Sequence, residues 1–165
     1  MDKNKNISFL DKISSKEKKI IFEQISKNYD SDMSYFDDKN LYKNQKGKVY
    51  ITHINIEEVE IDRINGLGIY FGTIHDSGKF RLSIEGSQLI KAKKNYVILK
   101  EEKFATYLAA ENLFPEDLEE INRDGDCPFL IVVYQDKNLG CITIKEDNVQ
   151  NYISKSRKLD YNKVF

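Results

Sequence analysis

Two groups of cations have the spacing best suited to chemistry in this chain, and that chemistry is the holding of a polyanion. Lys79 and Arg81 stand two apart, directly after the turn Asp76-Ser77-Gly78. On a regular strand both point to one face, while Phe80 and Leu82 point the other way into a core. Lys155, Arg157 and Lys158, with Lys163 beyond, form the most basic short window of the C-terminal half. Lysine neutralises a phosphate as a point charge, and arginine does so through a planar fork that also stacks on bases. The alternation at 79–82 is equally what a half-buried strand needs in order to fold. Spacing alone therefore leaves open a solvated face and a binding face.

Other groupings favour catalysis less. His75 lies beside Asp76, but proton transfer needs a nucleophile or substrate pocket around such a pair, and a turn histidine is ordinarily a surface or hydrogen-bonded turn element. Cys127 and Cys141 read as core thiols that pack like small hydrophobes. His53 and His75 show no ligand spacing with them, so neither a metal nor a cofactor is expected. The glycines 66, 68 and 72 have the wrong spacing for a phosphate loop. Lys39, Lys43, Lys46 and Lys48 read as a solvated loop, and Lys91, Lys93 and Lys94 as a charged junction.

The totals bound the reading. The chain has 165 residues, enough for one sizeable domain or two small ones. A net charge of -1 means that any nucleic-acid contact must come from local patches. Two cysteines exclude a disulfide framework and point to a reducing cytoplasm. The apolar runs are too short for a transmembrane helix, and the start MDKNKNISFLDK does not read as a secretory signal.

The elements that must position these residues follow from periodicity. Ser14-x-x-Glu17 is a capping box opening a helix over 15–28, with Ile21, Phe22 and Ile25 on one side. Residues 30–47 read as loop with a turn or two of helix. Val49-Tyr50-Ile51 is a strand, and 55–64 a short helix. Residues 66–84 form a hairpin, followed by a short helix over 88–92 and a strand over Tyr96–Leu99. A helix is expected over 101–113, with a second after Pro115 through 121. The run 129–134, FLIVVY, is the best buried strand, and Lys137-Asn138 turns it into a partner over 139–144. Residues 145–160 are polar, and 163–165 could be a last short strand. The fold class is α+β, in two small units divided near residues 91–95.

At residues 66–84 the sequence resembles the Nip-seven family of PUA-domain ribosome biogenesis factors, which serve large-subunit assembly in eukaryotes and have archaeal relatives. The matching residues are Leu67-Gly68, Phe71-Gly72 and Gly78-Lys79-Phe80-Arg81-Leu82. Ser156-Arg157-Lys158-Leu159-Asp160 is similar to a second family segment, and Leu139-Gly140 to a PUA strand. The resemblance implies an N-terminal α/β (pre-PUA) domain over 1–92 and a C-terminal PUA-like β pseudobarrel over 93–165. It implies a non-enzymatic RNA-binding factor, with Lys155, Arg157, Lys158 and Lys163 as contacts and Lys79 and Arg81 as a second surface. Expected partners are RNA, in particular pre-rRNA, and assembly proteins, with no membrane, for a cytoplasmic monomer. Two alternatives stand beside it: a protein adaptor with little RNA affinity, favoured by the acidic stretch 111–126, and an accessory acting in trans with an RNA-modifying enzyme. The family's C-terminal tail lies beyond Phe165, which is expected to leave the last strand short.

Overall fold

Each segment takes its place by burying one apolar face, and the two sheets that result share a core. The computed structural model describes residues 10–58 and 67–160. The expectations at 59–66, at Lys163 and for a strand over 163–165 lie outside them.

The first sheet is antiparallel, in the order β1 (Asp11–Lys12), β2 (Asn40–Lys43), β3 (Lys48–Thr52), β4 (Ile69–Ile74), β5 (Phe80–Leu82). Helix α1 (Ser15–Tyr29) opens where the Ser14 hydroxyl accepts from Glu17 N, and closes at Asp30 in the left-handed conformation. Its Ile21, Phe22, Ile25 and Tyr29 are buried. Gln24 clamps the hairpin between β4 and β5 with both ends of its amide. Its Nε2 donates to Gly78 O at 3.0 Å, and its Oε1 accepts from Phe80 N at 3.0 Å.

Helix α2 (Ile84–Gln88) follows β5 at once, and the second sheet has the order β10-β9-β8-β6-β7. Its strands are β6 (Tyr96–Leu99), β7 (Leu118–Asn122), β8 (Leu130–Tyr134), β9 (Lys137–Lys145) and β10 (Asn148–Asn151). All neighbours are antiparallel except β6 and β8, which run parallel. Helix α3 (Phe104–Leu108) is anchored by the Tyr107 hydroxyl, which donates to Leu139 O at 2.6 Å.

Several expectations need correction. The loop expected at 30–47 contains β2, whose Leu41 and Tyr42 are buried against neighbouring elements. The helix expected at 88–92 lies earlier, at 84–88, because the Ser83 hydroxyl caps it by accepting from Gly86 N at 2.8 Å. The helix over 101–113 shrinks to a 3-10 turn and α3, halted where Ala110 adopts φ 57°. After Pro115 the chain makes a single 3-10 turn and then β7, whose acidic residues suit an exposed edge strand. The β8–β9 turn is Gln135-Asp136, both at positive φ as a two-residue hairpin turn demands, and not Lys137-Asn138. The polar stretch 145–160 contains β10, held by its ladder to β9 with only Val149 buried.

The larger core cluster draws on both sheets. Ile25, Tyr29, Phe71 and Leu82 of the first half pack with Phe129, Ile131 and Cys141 of the second. Each such side chain contributes about 1.5–3 kcal/mol of burial. A second cluster, including Val97, Leu99, Leu130 and Ile142, lies within the second half. Polar groups, buried at Tyr29 and half-buried at Asn138, also bond between the two halves. The Tyr29 hydroxyl donates to Phe129 O at 2.9 Å, and Asn138 Nδ2 donates to Ser87 O and Ile90 O at 2.7 and 2.8 Å. Among the described residues no helix is long and apolar enough to cross a membrane.

Helix α2 is wedged between β4 and β9. A Cβ added at Gly86 would lie 1.9 Å from Phe71 O, and the Ser87 hydroxyl accepts from Gly140 N at 2.9 Å on the other side. The clash is with backbone, so no rotamer change relieves it. Gly86→Ala is expected to lower stability by about 2 kcal/mol or more, read from the urea midpoint. An unchanged midpoint would contradict this packing.

His75 closes the core beside the hairpin turn. Its ring stacks on Phe129 with centroids 5.2 Å apart, and its Nε2 is enclosed without a hydrogen-bond partner among the described residues. Burial, and then the nearby Arg81 charge, hold its pKa below the ordinary 6.5, against a smaller opposing pull from Asp76. The folded state thus favours neutral imidazole. Its contribution is present above about pH 6.5 and lost as pH falls below that value. His75→Phe is expected to flatten the decline in Tm between pH 7 and pH 5. An equal decline in both proteins would show that another group causes it.

Candidate nucleic-acid interface

One end of the first sheet meets the C-terminal segment around a cavity of about 300 Å³. Strand register builds its first wall. Lys48 on β3 is opposite Thr73 on β4, and Thr73 is opposite Arg81 on β5. Residues directly opposite share a face, so Lys48 and Arg81 project on the side away from buried Val49, Phe71, Phe80 and Leu82. Tyr70 joins them. Its ring lies 5.4 Å from Lys48 Nζ, and its hydroxyl is 2.5 Å from Thr73 Oγ1.

The second wall is the chain leaving β10. Tyr152 stands with its hydroxyl 2.8 Å from Thr143 Oγ1, and the Arg81 guanidinium stacks over its ring, 3.9 Å from the centroid. The turn beyond is fixed by backbone bonds from Arg157 N and Lys158 N to Ser154 O, and from Leu159 N to Leu108 O. Arg157 therefore lines the same cavity, and its guanidinium donates to Glu85 of α2, which is not itself part of the lining, with both terminal nitrogens, Nη1 to Oε2 at 3.0 Å and Nη2 to Oε1. This fork, with burial opposing it, draws the Glu85 carboxyl below its usual range and lifts Arg157. Lys48, Arg81 and Arg157 thus face one cavity whose described lining includes no aspartate or glutamate.

The structure sorts the expected contacts into groups. It brings Arg81 and Arg157 together, although they are far apart in sequence. Lys79 falls just before β5, is exposed and does not line the cavity. Lys155 and Lys158 are exposed on the turn that carries Arg157, outside the lining. Lys163 lies outside the described residues. Tyr70 and Tyr152 went unrecognised in the sequence, where Lys48 reads as part of a solvated loop. A signal for Lys48 existed, since it immediately precedes the strand Val49-Tyr50-Ile51, and pairing that strand with the hairpin arm sets it across Thr73 from Arg81.

The acidic stretch lies elsewhere. Glu119 and Glu120 are on β7, the edge of the second sheet opposite β10. Pairing further localises two acids: Asp124 with Lys94 at 2.8 Å and Asp117 with Lys103 at 3.3 Å. Buried thiols offer little chemistry. Burial pushes the Cys141 pKa up to about 12 and raises that of Cys127, so both stay protonated and poorly nucleophilic. Among the described residues no cluster of three or more His, Cys, Asp or Glu could hold a metal ion.

Known proteins place the fold. Residues 11–84, which span the whole first sheet and α1, match the family model described as NIP7/UPF0113, pre-PUA domain. A solved structure of a conserved PUA domain protein from Thermoplasma acidophilum is similar at a TM-score of 0.57 and 20% identity, over 84% of this chain and 81% of that one. No curated protein matches the sequence. The fold is α+β, a pre-PUA unit followed by a PUA-like pseudobarrel. Residues 11–84 thus carry a pre-PUA domain of the NIP7/UPF0113 type, and the PUA-like sheet that follows completes a fold similar to that of the Thermoplasma protein.

Proposed function

We propose that this protein is a non-enzymatic RNA-binding factor of ribosome biogenesis that acts on pre-rRNA as a cytoplasmic monomer. One observation carries the reading: three cations from separate parts of the chain converge on a cavity flanked by Tyr70 and Tyr152, with no acid in its described lining. Arginine forks and lysine charge suit phosphates, and tyrosine rings suit unstacked bases, a combination matched to single-stranded RNA. Lys155, Lys158 and Lys79 would extend the path of the backbone outside the cavity, with Lys163 as a further proposed contact. The division at 92/93 follows from this reading, with residues 1–92 and 93–165 each supplying one wall. Assembly proteins are the partners that would share the particle.

A protein-adaptor reading has its own support in the exposed Glu119 and Glu120 of the β7 edge, which suit a basic partner. It predicts no RNA affinity at the cation cavity.

Fluorescence anisotropy with a labelled single-stranded RNA separates the two. Three phosphate contacts give a slope of log K against log salt of about −2, roughly a 20-fold loss between 50 and 200 mM salt. Arg81→Ala is expected to weaken binding roughly ten-fold at low salt. Binding that ignores both salt and Arg81 would overturn the proposal.

A further inference from the structure

We propose that Glu85 is a built-in phosphate substitute that occupies the Arg157 fork until an RNA phosphodiester displaces it, so that the cleft exchanges an internal carboxylate for a phosphate. The inference rests on the RNA-binding reading above and adds regulation to that site.

The geometry supports exchange in three ways. First, Glu85 engages both terminal nitrogens of Arg157, the two-point mode by which a guanidinium also holds a phosphate. Second, the backbone that carries the carboxylate is held in place. Glu85 lies one residue before Gly86, which is pressed on the β4 backbone, and two before Ser87, which is bonded to Gly140 of β9. Arg157 is on the exposed turn after β10, whose backbone is likewise held by bonds to Ser154 O and Leu108 O, so only side-chain rotation is needed to part the pair. Third, the pair is open to water, with side-chain exposures of 45% for Arg157 and 36% for Glu85. An ion pair this exposed contributes little to folding and is cheap to break.

The other cations strengthen the case. Arg81 and Lys48 are engaged by rings: Arg81 over Tyr152 and Lys48 over Tyr70. Their positive charge therefore remains available to an arriving phosphate. Arg157, by contrast, has its fork already filled by a carboxylate. A phosphodiester entering the cavity meets two ready cations and gains the third by releasing Glu85 to water.

A double-mutant cycle tests this. RNA binding is measured for the wild type, Glu85→Gln, Arg157→Ala and the double variant, with the same labelled single-stranded RNA. Glu85→Gln is expected to tighten binding roughly five-fold in the wild type and to change nothing once Arg157 is alanine. Equal gains in both backgrounds would mean that Glu85 acts only as a diffuse negative charge, and would overturn the inference while leaving the RNA reading intact. No binding by any of the four proteins would overturn both. Inorganic phosphate at matched ionic strength distinguishes a free anion from RNA. A change of less than two-fold in RNA affinity is expected, and complete displacement by phosphate would assign the fork to a free anion and overturn the exchange with RNA. Circular dichroism of each variant confirms the fold, since a loss of structure would itself contradict a role confined to this surface.

Discussion

Close approach at Gly86 is the constraint on which the rest of the structure depends. Helix α2 passes so near β4 that no side chain fits between them. On its other side Ser87 bonds to β9, and a Cβ at Gly140 would meet Ile84 at 3.1 Å. Five helical residues thereby join the two sheets. Ser83, Ile84 and Glu85 are consequently held at the seam, and the C-terminal segment has a fixed surface against which to return. Were α2 a turn further away, the shared core of Tyr29, Phe71, Ile131 and Cys141 would open, and Arg81 and Arg157 would no longer face one cavity.

The same residues serve folding and surface chemistry through alternation. On β5, Phe80 and Leu82 fill the core while Arg81 projects outward. Core burial is the larger energy, of order several kcal/mol for such a pair, so it sets the register. The cation's direction then follows at no further cost. Stacking on Tyr152 removes much of its remaining freedom and satisfies the guanidinium without neutralising it. Glu85 treats Arg157 differently, by filling its hydrogen-bonding fork. One cleft therefore holds cations in two states, one ready and one masked.

Local signals were legible in the sequence, and long-range ones were not. The capping serine and helical spacing marked α1, the Asp76-Ser77-Gly78 turn marked the hairpin, and the apolar run marked β8. Polar strands escaped notice because pairing, not periodicity, makes them strands: β10 has one buried residue, and β7 has one buried residue and two glutamates. Ser83 went unread as a cap because its third residue is Gly86, not an acid. The site itself was half legible. Arg81 and Arg157 were singled out by charge, but their meeting depends on β-sheet register and on the return of the chain after β10. Lys48 read as part of a solvated loop and Glu85 carried no mark, since a lysine before a strand and a glutamate after one are ordinary until tertiary contacts give them neighbours.

The central claim is that RNA is held where the two sheets meet, by cations drawn from both halves of the chain. The chain has four arginines, at positions 63, 81, 123 and 157, so side-chain Nε–H NMR spectra can follow each one during an RNA titration. The account predicts that the Arg81 and Arg157 signals shift together while Arg123 stays still. RNA that binds while Arg81 and Arg157 remain unmoved would contradict it.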